Sequence, residues 1–319
     1  MKSIFGILFF CILVILPGLS LTGQEDSNSF EYYKKLNDGE KRLSEFRDND
    51  EVLRVKLNQV VLINKSRARY KAGPVKLDIL ASRVANKQCR EAAENGYMSH
   101  WNLAGEKPYL RYARAGGHDH VSENAYSQGS SMEFSHSYST VADLMKQGHE
   151  SFMKEKAPYD GHKKNDINKS HNFVGLGYFI SEGEFRYNEE FIDRYLEFSD
   201  VPEQLKPGET GYITVNTGGN GFLYFMTIYR EDFPSPMTAR QLLRTGSYSD
   251  YTKENVLNSA PWDLKKFRSG DTYRIPVSFG KEGLYYIQLF TDKKEYTGYG
   301  SVTTEGKEPV SGIVISVSR

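Results

Sequence analysis

Six of the seven histidines in this chain fall between His100 and His162, interleaved with Glu123, Glu150 and Glu155. Imidazoles and carboxylates together can hold a divalent cation, move a proton, or fix one another by hydrogen bonds. The short spacings that announce particular machinery do not occur. Met153 stands where a helical zinc-protease motif starting at His149-Glu150 needs its second His. There is no CxxC pair, and no Gly-rich phosphate loop follows a strand. Ser99 beside His100 is not a catalytic dyad, because sequence neighbours on a helix point in different directions. On spacing alone, each His reads more readily as structural than as functional. Secondary candidates are His118, His120, His136 and His171, read mostly as solvated.

Helices must position these residues first. Leu53, Leu57, Val60 and Val61 recur at helical spacing, followed by Asn64 and Arg67, until Gly73-Pro74 stops the pattern. A second helix starts at Asp78, a natural N-cap, and ends at Gly96. Its apolar stripe, Leu80, Val84, Ala85, Cys89, Ala92 and Ala93, makes Cys89 a small buried hydrophobe rather than a reactive thiol. Residues 97–138 are rich in Gly, Ser, His and Tyr and read as loop with a short helix. Thr140 to Lys156 is a third amphipathic helix, ended by Pro158 and Gly161.

Then the period changes. Phe173 to Ile180 reads as a strand, residues 181–184 as a turn, Phe185 to Tyr187 as the return, and Phe191 to Phe198 as a further strand. Helices first, strands late and no βαβ repeat indicate an α+β fold. Pro202, Pro207 and Gly208 mark a boundary. Beyond it, Tyr212–Thr217, Phe222–Arg230, Thr272–Phe279, Leu284–Thr291 and Gly312–Val317 read as strands of an all-β sandwich.

Lys+Arg and Asp+Glu both number 41 in the 319 residues, so charge makes no case for nucleic acid or an anionic membrane surface. Lys2, the apolar run Ile4–Leu16 and the small residues near Ser20 read as a signal peptide over 1–24. Its removal takes Lys2 and Cys11, leaving 40 basic against 41 acidic residues and a single thiol, Cys89. The expectation is an exported chain, secreted, periplasmic or on the cell surface, with no transmembrane segment after processing and no internal disulfide. Residues 25–50 form a polar lead-in, helical or a spacer. The domains then run 51–200 and 201–319.

An ordered series of motifs adds a resemblance. Asn64-Lys-Ser-Arg67 is followed by Gly73-Pro74-Val75-Lys76-Leu77-Asp78, then Tyr97-Met98-Ser99-His100-Trp101 and Ser122-Glu123-Asn124-Ala125-Tyr126. Phe152-Met-Lys-Glu155, Gly161-His162-Lys163-Lys164-Asn165 and His171-Asn172-Phe173-Val174-Gly175-Leu176-Gly177-Tyr178 complete it. The series resembles the CAP superfamily, the SCP or cysteine-rich secretory protein family, in its bacterial form, over roughly residues 52–198. Ser122 replaces a usual Gly, and Phe152 a common Trp. The resemblance implies an α–β–α sandwich whose cleft is lined by His100, Glu123, Glu155 and His162. It implies that His100 and His162 can hold a divalent ion such as zinc. The same four residues can instead serve only as loop anchors.

Three functions fit. The first is a secreted, non-enzymatic binding or interaction protein, since no nucleophile or complete catalytic motif is identifiable. The second is a metal-dependent peptidase or esterase using Glu123 or Glu155 as base. The third is a lipid, sterol or glycan binder, suggested by Tyr224, Phe225, Tyr285, Tyr286, Tyr296 and Tyr299. The ligand or protein partner is not named by the sequence.

Overall fold

The computed structural model describes residues 29–219, 221–248 and 254–319. The segment 1–24, read from the sequence as a signal peptide, lies outside them. Helix α1 (Phe30–Gly39) occupies the lead-in. Helix α2 (Asp50–Arg69) is capped by Asn49, whose side chain accepts from Val52 N. After β1 (Lys76–Leu77), α3 (Ile79–Glu94) is capped by Asp78, which accepts from Ala81 N at 2.6 Å. Then come α4 (Pro108–Arg114), β2 (His120–Gly129), α5 (Tyr138–Met153), α6 (Gly161–Asp166), β3 (Phe173–Ser181) and β4 (Glu184–Asp193).

These strands form a sheet in the order β1-β3-β4-β2, parallel at β1/β3 and antiparallel elsewhere. Alternate residues of β3 serve opposite faces. Val174 and Leu176 pack with Leu53, Val60 and Ile63 of α2 and Leu144 and Met145 of α5. On the other face, Gly175 and Gly177 admit α3 to near contact. A Cβ on Gly175 would lie 2.4 Å from Ala81 Cβ, and one on Gly177 2.4 Å from Ala85 Cβ. Cys89 follows on the same helix, fully buried, its thiol toward the Gly177 carbonyl at 3.4 Å. Burial pushes that thiol well above its ordinary pKa, so it stays protonated.

After β4 the chain enters two further sheets. Strands β5 (Glu197–Asp200), β7 (Thr210–Asn216), β10 (Arg268–Ser269) and β11 (Thr272–Ser278) pair in the order β10-β11-β7-β5. Strands β6 (Gln204–Leu205), β8 (Phe222–Glu231), β9 (Asn255–Ser259), β12 (Gly283–Asp292) and β13 (Ile313–Val317) pair as β6-β13-β12-β8-β9. Short helices α7 (Ala239–Leu242) and α8 (Pro261–Leu264) sit in their connections. One core joins the two sheets, with Ile213 and Val215 facing Ile228, Tyr285, Ile287 and Leu289. The whole is α+β, an α–β–α sandwich followed by a β sandwich.

Strand β12 is buried on both faces. Tyr285 and Ile287 fill the β sandwich, while Leu284 and Tyr286 join Leu80, Tyr109, Leu110, Tyr112 and Val121 of the α–β–α part. Tyr109 meets Tyr286 edge to face at 4.8 Å.

Three local expectations are corrected. The stretch 97–138 contains the ten-residue strand β2, whose inward positions include His120, Glu123 and Asn124; those polar residues erased the apolar alternation that marks a strand. Strand β4 runs unbroken through 184–193, and the next strand is the separate β5. Gly161, read as a helix stop, opens α6.

Gly177→Ala is expected to destabilise the protein by about 1–3 kcal/mol, the cost of overpacking a closed interface. Exposed Tyr299→Ala should stay within about 0.5 kcal/mol. Urea denaturation of the two variants checks the contrast.

Candidate functional site

The four residues of the expected tetrad meet beside β2, the edge strand of the first sheet. His100 lies in the loop after α3, Glu123 on β2, Glu155 just past α5, and His162 in the first turn of α6. They form two His–Glu pairs. His100 Nδ1 donates to Glu123 Oε1 at 2.7 Å, and His162 Nδ1 to Glu155 Oε1 at 2.5 Å. The imidazole centroids are 6.5 Å apart with 32° between planes. Glu155 Oε2 also accepts from the backbone N–H of His162 at 3.0 Å and of Lys163 at 3.3 Å, so it anchors the start of α6 as well as the ring.

Glu123 is the more constrained carboxylate. It is buried opposite Glu190 in the β2/β4 register. Arg111 of α4 donates to its Oε2 at 2.5 Å and Asn188 to the same oxygen at 2.7 Å. Burial alone would raise its pKa, but the Arg111 guanidinium and His100 overrule this and hold it below the usual carboxylate value. Burial and then the Glu123 charge push Glu190 well above the usual carboxylate value. The two adjacent buried carboxyls are thus pulled in opposite directions, Glu123 down by Arg111 and Glu190 up.

The β sandwich supplies one wall. Tyr248, from the connection between β8 and β9, lies with its ring 4.8 Å from His100, and its hydroxyl accepts from Glu123 N at 3.2 Å. Ser99 and Thr245 share a hydrogen bond of 2.6 Å nearby. Sequence reasoning missed Arg111, Asn188, Glu190 and Tyr248, since none lies in a motif and each arrives from a distant element.

Among the described residues, the group of three side chains whose ligand atoms all converge within 4.8 Å is not this tetrad. It is His149, Asp166 and Glu189, all buried. His149 Nδ1 lies 3.1 Å from Glu189 Oε1 and 3.3 Å from Asp166 Oδ1. Burial would lower the His149 pKa, yet Glu189 and Asp166 push it up to about 10. Burial and Glu189 push Asp166 up to about 8. Asn64 and Arg67 hold backbone: Asn64 bonds Val75 through both its oxygen and its nitrogen, and Arg67 donates to the carbonyls of Gly73, Asp166, Asn168 and His171.

No family model and no curated protein matches the sequence. Solved structures do. One is an extracellular protein containing an SCP domain from Bacillus anthracis, 22% identical over 43% of this chain, with a TM-score of 0.32. Another is an outer surface protein from Borrelia burgdorferi, 15% identical over 44% of this chain, with a TM-score of 0.36. A third is a cysteine-rich secretory protein from Staphylococcus aureus, 15% identical over 43%, with a TM-score of 0.29. The match spans 39% of the first and third of those chains and 93% of the second.

Strand β2 is also tied down by a His–Asp–His bridge. Asp193 on β4 takes His120 Nδ1 at 2.9 Å and His171 Nδ1 at 2.7 Å. His120 and His171, two of the four secondary histidines read mostly as solvated, are buried, and this carboxylate accepts from both. Burial would raise the Asp193 pKa, but the two imidazole donors hold it well below its ordinary value. Burial lowers the His171 pKa despite Asp193. The unfolded chain takes up protons on His below about pH 6.5 and on Asp below about pH 4, while the folded chain resists both. Stability from these groups is thus present at neutral pH and lost as pH falls. His171→Asn, which keeps a donor but removes the titration, should lose less stability between pH 7 and pH 5 than the parent; urea midpoints at the two pH values test this.

Proposed function

We propose that this chain is an exported, non-enzymatic binding protein in which a CAP-type domain, residues 51–200, presents the His100/Glu123/Glu155/His162 cleft for a divalent ion such as zinc. The observation that carries this reading is the pairing of each imidazole Nδ1 with a carboxylate. That pairing fixes the tautomer and leaves Nε2 of both rings as the ligand atom, as metal-binding imidazoles require. The second domain, residues 201–319, adds the Tyr248 wall. Export is supported by the leader-like 1–24 segment and by neighbours described as extracellular or outer-surface proteins. No helix among the described residues is long and apolar enough to cross a membrane.

The hydrolase reading is weaker on chemical grounds. A general base works best with a pKa near the working pH and a free lone pair. Glu123 is held low by Arg111 and His100, and Glu155 is spent on His162 and two backbone amides.

One observation favours a glycan-binding surface on the β sandwich. Trp262, Tyr296 and Tyr299 cluster, with ring centroids of Trp262 6.0 Å from Tyr296 and 5.7 Å from Tyr299, and Tyr299 is 85% exposed. Flat, exposed aromatic faces suit sugar rings. Of the other aromatics singled out for ligand binding, Tyr285 and Tyr286 are core.

Zinc titration of metal-free protein by calorimetry is expected to show micromolar or tighter binding that H100A or H162A weakens at least tenfold. Unchanged zinc binding in a folded H100A/H162A double variant would remove the cleft reading. Peptide or ester hydrolysis that disappears in H100A would overturn the non-enzymatic one.

A further inference from the structure

Strand β4 carries two adjacent acids on opposite faces of the sheet. Glu190 faces Glu123 and the cleft side, while Glu189, opposite Asn124 in the register, faces α5. There it joins His149 of α5 and Asp166 at the end of α6. We propose that His149 Nδ1, Asp166 and Glu189 form a second, fully buried site for a first-row divalent cation, zinc being the best match to one imidazole and two carboxylates.

Four observations support the site independently of the cleft. First, the spacing is apt. Ligands about 2.0–2.1 Å from a tetrahedral zinc lie about 3.3 Å from one another. Here His149 Nδ1 is 3.1 Å from Glu189 Oε1 and 3.3 Å from Asp166 Oδ1.

Second, Glu189 Oε2 and Asp166 Oδ1 are both buried without a hydrogen-bond partner, on side chains that are entirely inaccessible. A buried carboxylate oxygen left unmatched is costly, and a cation between the two carboxyls would satisfy it.

Third, the outer partners of a metal site are in place. His149 Nε2 is paired with Ser66 Oγ at 2.9 Å, which fixes the ring and turns Nδ1 inward. Asn124 donates to Asp166 Oδ2 at 2.9 Å. Tyr187 donates to Glu189 Oε1 at 2.7 Å and itself accepts from Gln59 at 3.1 Å. Metal ligands are oriented by such bonds from their far side.

Fourth, a surface cleft of about 510 Å³ between α2 and α5, with Leu62 and Tyr70 on its walls, reaches the outer side of the cluster at His149 and Ser66.

The test uses full-length protein stripped of metal, reloaded with zinc alone, desalted and assayed for metal content. The H100A/H162A double variant leaves the buried cluster untouched and disables the cleft. It should retain one equivalent of zinc, and zinc should raise its melting temperature reversibly with chelator, because an ion that binds only the folded state stabilises it. E189Q or D166N added to that background should lower zinc affinity at least tenfold. Folding of each variant is verified by circular dichroism, and the two substitutions guard against one failing to fold. A folded H100A/H162A protein holding no zinc would overturn the buried site, leaving His149, Asp166 and Glu189 as a structural triad. So would an E189Q or D166N protein that keeps the equivalent undiminished. Failure of the cleft reading looks different: the wild type and H100A/H162A would then hold the same single equivalent.

Discussion

Two carboxyl groups are set directly opposite one another inside the protein, Glu123 on β2 and Glu190 on β4. Two buried charges so placed would not survive folding. The solution is Arg111, brought in by α4, which neutralises Glu123, while burial and the Glu123 charge push the Glu190 pKa well up. Much else follows from that arrangement. Helix α4 must dock against the end of β2 for its guanidinium to reach Glu123. In docking, it brings Tyr109, Leu110 and Tyr112 to the surface that Leu284 and Tyr286 of the β sandwich cover. The buried pair is thus coupled to the seating of the second half on the first. Removing Arg111 would strand a buried charge rather than merely lose a contact.

Strand β4 organises the polar interior on both sides of the sheet. Its acids alternate with the pleat. Glu190 serves the side where His100 is oriented, Glu189 serves His149 and Asp166, and Asp193 joins His120 to His171. Every buried His in this region is answered by a carboxylate. Where folding lowers a pKa, as at Asp193 and His171, the stability gained is present at neutral pH and lost in acid; His149, pushed up to about 10 by Glu189 and Asp166, keeps its contribution as pH falls.

The β sandwich is more than an appended module. Its strand β12 has no solvent face, and its β8–β9 connection places Thr245 on Ser99 and Tyr248 on His100. The environment of the His100 ring is therefore built by residues nearly 150 positions downstream of it as much as by its own neighbours.

Much of this was legible from the residues alone. Helical periodicity and caps located α2, α3 and α5, because an apolar stripe facing a core repeats every turn. The Gly-x-Gly of β3 and the alanines of α3 stood in the sequence, but their reason, a close approach of helix to sheet, is visible only in the structure. The ordered motifs picked out His100, Glu123, Glu155 and His162, and the structure brings those four side by side. Strand β2 was hidden, since its buried positions hold the polar residues that do the work. Arg111, Tyr248 and the His149/Asp166/Glu189 cluster were invisible for a different reason. Their meaning lies in which distant charge each one faces, and sequence order holds no record of that distance. The sequence by itself determined the elements and the residue types available for chemistry. Only the tertiary structure decided which carboxyls are charged, which imidazoles they hold, and which face of the sheet each cluster occupies, because those outcomes depend on burial and on distances of a few ångströms between remote segments.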